Sequence, residues 1–121
     1  QQQAILNSMQ EITDKTDVGF IGDTGQAARI RYTNENTGCW AIIGRSGGVQ
    51  QVNLADNCFG SADNLTTIIH ELGHAVGLIH EHNRPERNDY ITVNWANLTP
   101  YGQSQFQTAG VTVWNSYDYL S

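Results

Sequence analysis

His70-Glu71-Leu72-Gly73-His74-Ala75-Val76-Gly77-Leu78-Ile79-His80 is the stretch that decides how this chain is read. It lies in the strongest helical pattern of the sequence, residues 63–77, and opens with H-E-x-x-H. At roughly 100° per residue, His74 falls about 40° round the helix from His70 and one turn along it. Both imidazoles can therefore reach one metal ion. Leu65, Ile68, Ile69, Leu72, Ala75 and Val76 cluster on the other side of the wheel. That segregation predicts a helix whose apolar face packs on a sheet while its histidine face looks into a cleft.

Gly77 is the expected end of this helix, because glycine tolerates the left-handed conformation that turns a chain at a helix C-terminus. A straight helix would carry His80 away from the metal, whereas a glycine bend can fold it back as a third nitrogen ligand. Three histidines leave one position of a tetrahedral zinc to water. Zinc lowers the pKa of that water to about 7, which makes a nucleophile at neutral pH. Glu71, on the flank of the histidine face, is placed to accept the water proton and later deliver it to a leaving amine. A closed structural zinc site is the competing reading. It needs a fourth protein ligand, for which His82 is nearest, and it leaves Glu71 without a role.

Working outward, residues 3–15 carry Ile5, Leu6, Met9 and Ile12 at helical spacing. Residues 18–21 are a short apolar strand candidate. Ile30 and Tyr32 alternate with Arg29 and Arg31 in a half-buried strand over residues 28–33. Two β-prone runs, 40–43 and 49–54, flank Arg45-Ser46-Gly47-Gly48 and read as a hairpin. Residues 55–61 read as loop. Past the long helix come an irregular polar stretch, a strand candidate at 90–93, a helix near 101–106, and an aromatic tail with Trp114, Tyr117 and Tyr119. No repeat is apparent. The order helix, strands, helix predicts an α+β fold, a small twisted sheet backed by two helices.

At 121 residues the chain suits one domain, and 39% hydrophobic residues can supply its core. Six Lys+Arg against 12 Asp+Glu give a net charge of −6, which disfavours nucleic acid and anionic membranes as partners. No apolar run approaches the roughly 18 residues of a membrane span. Gln1-Gln2-Gln3 carries no signal-peptide pattern, and a mature exported chain would also lack one. Cys39 and Cys58 are compatible with one disulfide in an exported protein or with two separate thiols.

The extended motif and its continuation, Glu81-His82-Asn83-Arg84-Pro85-Glu86-Arg87-Asn88-Asp89-Tyr90-Ile91, resemble the astacin branch of the metzincin zinc proteases. Glu81, Arg84, Arg87 and Tyr90 fill the places of that branch's spaced Glu, Arg, Arg and Tyr. Glu86 and Asn88 stand where it usually has Asp. Gln3 to Glu11, Gly38-Cys39-Trp40, Gly44-Arg45 and Val49 to Val52 also resemble the family's first helix and hairpin strands, and Asp118-Tyr119 with Ser121 the approach to its Met-turn.

The resemblance implies a zincin-like fold: a small twisted, mostly parallel mixed sheet packed on an N-terminal helix and a zinc-binding helix. It implies His70, His74 and His80 as ligands of one catalytic zinc and Glu71 as general base. It pairs Cys39 with Cys58, and a second family disulfide is missing because Asp17 stands at its first cysteine. The family's Glu at the position of Glu81 joins a buried link to the N-terminus created by propeptide removal. In a chain truncated ahead of Gln1, a solvated surface carboxylate is the simpler reading.

Residues 1–121 then read as a partial catalytic domain, the N-terminal subdomain plus the start of the C-terminal one. A strand is expected upstream of Gln1, and the Met-turn with its tyrosine beyond Ser121. Met9 cannot serve as that methionine, nor Tyr119 as that tyrosine. The function implied is a secreted, extracellular endopeptidase acting on proteins or peptides, with a propeptide as inhibitor and a strand within 40–54 pairing with extended substrate. Its rivals are a zinc-binding fragment without turnover and, less well matched to the long motif, a small-molecule hydrolase.

Overall fold

The computed structural model describes residues 1–60, 64–112 and 115–119, so Ser61, Asp63, Trp114 and Ser121 lie outside the described residues. Two compact units follow one another along the chain, Gln1–Leu78 and Ile79–Ser121.

The first unit holds helix α1 (Gln2–Lys15), strands β1 (Arg29–Thr33), β2 (Cys39–Ala41) and β3 (Val49–Leu54), and helix α2 (Asn64–Ala75). Along α1, Ile5, Met9 and Ile12 recur at i, i+4 and i+7 and pack on the core, while Leu6 is half exposed. β3 is the central strand, parallel to β1 and antiparallel to β2, so the sheet is mixed. The hairpin expected around 45–48 forms, with a shorter first strand than its apolar run. On β1 the alternation turns Ile30 and Tyr32 towards the core and Arg31 to solvent. Val52, Leu54, Ala55 and Cys58 meet Ile68, Leu72 and Ala75 of α2 to make that core. Burying these side chains is worth about 1.5–3 kcal/mol for each large one.

Cys39 and Cys58 are disulfide-bonded, with Cα atoms 5.9 Å apart, which decides between the pairing and the free thiols. The bridge ties β2 to the 3-10 turn Asp56–Phe59, found where the sequence reads as loop. Asn53 is fully buried in β3 and holds the β1–β2 turn. Its amide donates to the carbonyls of Glu35 and Gly38, and its oxygen accepts from the Thr33 hydroxyl and the Glu35 N–H. Residues 18–21 form no strand: an apolar run becomes one only beside a partner, and Ile21 stays 80% exposed. A cavity of about 720 Å³ opens between α1, residues 19–23 and β1, and no histidine lines it.

The second unit holds three 3-10 turns, Glu81–Asn83, Arg87–Asp89 and Trp95–Asn97, and the short helix α3 (Pro100–Gln105). Thr99 caps α3 by accepting the Gly102 N–H, with Pro100 in the first helical position. Residues 90–93 form no strand, and the unit has none among its described residues.

Candidate metal centre

α2 places the histidine pair. The His70 and His74 rings lie 4.6 Å apart between centroids, edge to face, one turn apart on the helix. Ile68, Leu72 and Ala75 form the buried stripe, while Leu65 and Val76, expected on it, are more than a third exposed. The buried face is thus narrower than the wheel suggests.

The glycine bend does more than end the helix. Gly77 takes φ +110°, in the left-handed region. The Leu78 N–H then reaches the Gly73 carbonyl at 2.9 Å, and the Gly77 N–H reaches that of His74 at 2.9 Å. This is a Schellman closure, which satisfies carbonyls that a helix end leaves without donors. The same bend brings the Leu78 carbonyl 2.8 Å from His74 Nδ1. A carbonyl only accepts, so Nδ1 carries the proton, and Nε2 is the nitrogen that could serve a metal. Two further donors reach the helix end from the β2–β3 connection and from β3: the Gly44 N–H to the His74 carbonyl at 2.8 Å, and Gln50 Nε2 to that of Ala75 at 3.1 Å. His74 is therefore fixed in ring and in backbone.

Glu71 lies about 60° round the wheel from the Ile68 line, between the core stripe and the histidines. It is only 6% exposed. Burial pushes its carboxyl pKa up, against the opposing pull of His74. A carboxylate raised in this way is suited to taking a proton and giving it back. The His70 imidazole is held below its usual pKa by desolvation first and by His74 second, although the residue as a whole is exposed. Neutral imidazole is the form that binds metal. The donor chemistry of the pair fits zinc.

His80 belongs to the second unit, where it is the N-cap of the turn Glu81–Asn83. His82 stacks on the His80 ring at 5.2 Å, lies against Phe106, and donates from Nε2 to the Gln105 carbonyl. That packing gives His82 a local structural role. Glu81 is no solvated carboxylate: it pairs with Arg84 at 2.8 Å and accepts the Asp118 N–H. The Leu78 carbonyl and the Gly44 N–H carry no side-chain signal in the sequence. The one hint is a glycine three residues past His74, which places a backbone carbonyl near that ring.

A model of the astacin family of peptidases matches residues 1–121. The zinc metalloproteinase nas-4 of Caenorhabditis elegans is 35% identical, over 97% of this chain and 38% of that protein. The astacin-like metalloendopeptidase of Mus musculus is 33% identical, over 97% of this chain and 26% of that protein. Among solved structures, the high choriolytic enzyme 1 of Oryzias latipes, a hatching-enzyme zinc protease, superposes with a TM-score of 0.85 at 30% identity, over 97% of this chain and 57% of that one. Myroilysin, at 21% identity and a TM-score of 0.62, shares the fold.

Proposed function

The chain belongs to the astacin family of zinc metalloendopeptidases, and from that premise we propose that it is the metal-bearing part of a secreted endopeptidase. His70, His74 and His80 would hold one zinc ion. The observation that carries this reading is the His70–His74 pair with His74 Nδ1 already committed to the Leu78 carbonyl. His80 follows Leu78 by two residues, so chain connectivity alone keeps its Cα within about 7 Å of the Leu78 Cα. A zinc ion held there supplies Lewis-acid chemistry, polarising a peptide carbonyl and acidifying water.

The residues of this chain do the rest. Glu71, buried on the flank of the histidine pair with its pKa pushed up, takes the proton of the attacking water and returns it to the departing amine. Among the described residues β2 pairs with β3 alone, which leaves a strand edge for the backbone of an extended polypeptide. The disulfide supports export to an oxidising compartment. A hatching-enzyme relative supports protein substrates. The match over 57% of that chain supports reading residues 1–121 as one portion of a catalytic domain.

Glu71→Ala tests the assignment. Zinc content should stay near one per chain while chelator-sensitive casein cleavage drops by about 10²–10⁴. Undiminished cleavage would remove Glu71 from the mechanism. A second reading, zinc binding without turnover, is favoured by the small share of the curated relatives that the chain spans. Stoichiometric zinc in a wild-type chain that leaves casein intact would select it.

A further inference from the structure

In the second unit, Arg84 is only 3% exposed and its guanidinium makes contacts in every direction. Nη1 donates to Glu81 Oε1 at 2.8 Å and to the Ser116 carbonyl at 3.1 Å. Nη2 donates to the Asn115 carbonyl at 2.6 Å, and both Nε and Nη2 donate to Glu86 Oε1. The plane lies 5.5 Å from the centroid of the Tyr117 ring. Glu81 in turn accepts the Asp118 N–H. One buried cation thus gathers a 3-10 turn, a second carboxylate and residues 115–118. The turn it closes, through its own N–H to the Glu81 carbonyl, is the one that His80 caps.

We infer that Arg84 is a positioning residue for metal binding, acting on His80 through Glu81. This rests on the reading of His80 as the third ligand. Glu81 is the residue after His80, and one oxygen of its carboxylate, Oε1, accepts from both the Arg84 guanidinium and the Asp118 N–H. The backbone leaving His80 therefore has little freedom, which narrows the range its imidazole can sample. Ligands with fixed supporting partners bind tighter, and loss of such a partner costs about 10–100-fold in affinity. A lysine cannot replace the fork, since one ammonium does not span Glu81, Glu86 and two carbonyls.

Zinc affinity, measured by competition with a chromophoric chelator on the full chain, tests this without reference to activity. Arg84→Met should weaken zinc by about 10–100-fold, and Arg84→Lys should recover only part of that. Glu81→Ala, which removes the acceptor, should reproduce most of the loss, whereas Glu86→Ala, which leaves the Glu81 link intact, should change affinity less than about threefold. His80→Ala should weaken zinc more than any of these, and Arg84→Met should add nothing in the His80→Ala background. A loss of equal size for Glu81→Ala and Glu86→Ala, or losses that multiply in the double variant, would reduce Arg84 to general support of the fold and overturn the inference. Unchanged binding in Arg84→Met would do the same. If His80→Ala itself bound zinc as wild type, the ligand reading would fall first, separately from the role of Arg84.

Discussion

In the first unit the buried residues include Val52, Leu54, Ile68 and Leu72, drawn from one sheet and one helix, whereas in the second the buried ones among the described residues are Arg84 and Arg87. One unit excludes water with apolar faces and a disulfide. The other folds irregular backbone round two cations. Arg87 donates to the carbonyls of His82 and Phe106 at 2.9 and 2.6 Å and to Asn88 Oδ1, with its guanidinium 5.5 Å from the Trp95 ring. Hydrophobic burial is non-directional and spread over many contacts. Charge-assisted hydrogen bonds are directional and concentrated in a few atoms. Order in the second unit thus depends on fewer residues.

The sharpest way to break the first half of that contrast is Leu72→Ala. Leu72 is fully buried between helix and sheet. Its truncation should lower stability by about 2–5 kcal/mol, read as a shift of the urea midpoint at unchanged slope. A loss below about 1 kcal/mol would mean that this core is loose enough to collapse around the void.

For the other half, Arg87→Met keeps the stem and removes the donors. Three acceptors lose their partner, at a cost of about 2 kcal/mol to the local structure. Exchange of the Ile91 and Ala109 amides, bonded to the Arg87 and Asn83 carbonyls, should accelerate roughly 30-fold. Unaltered exchange would show that the apolar contacts of the unit suffice to hold it.

The contrast also explains what the sequence disclosed. α2, β1 and the hairpin were legible because burial writes a period of 3.6 or 2 into the residues. The histidine pair was legible because its spacing is a helical turn. Four acceptors of Arg84 and Arg87 are backbone carbonyls, which every residue carries, so the sequence holds no code for those partners, whereas Glu81 and Glu86 are visible in it. A spacing of three through Glu81, Arg84 and Arg87, in a stretch poor in apolar residues, was the visible trace. Residues 18–21 misled in the opposite way, since apolar character does not supply a neighbouring strand.

Gly77 stands at the end of the first unit, and its substitution is expected to have a smaller effect. At φ +110° an added Cβ is strained even though nothing lies within 4 Å of it. Gly77→Ala should cost about 1–2 kcal/mol and loosen the Leu78 carbonyl from His74 Nδ1. The His74 Nδ1–H, expected as a slowly exchanging NMR signal while this bond holds, should then exchange too fast to be seen. Retention of that signal would separate the hydrogen bond from the bend.

The smallest effect is expected where, among the described residues, the apolar unit buries a polar atom without a partner. The Tyr32 hydroxyl is inaccessible and has no hydrogen-bond partner among the described residues. Burial pushes its pKa up from 10 to about 12. Below pH 10 the phenol is neutral whether the chain is folded or not, so it adds no pH dependence. Between pH 10 and 12 the unfolded phenol ionises while the folded one stays protonated, and stability falls as pH rises through that window. Tyr32→Phe should abolish that part of the alkaline loss and, at about pH 7, be neutral or stabilising by up to about 1 kcal/mol, because it removes an unsatisfied group without opening a cavity. Thermal melts of both proteins at about pH 7 and about pH 11 measure the two effects together. Destabilisation at neutral pH would mean that the hydroxyl has found a partner, and the first unit would then also rely on a specific polar contact at that strand.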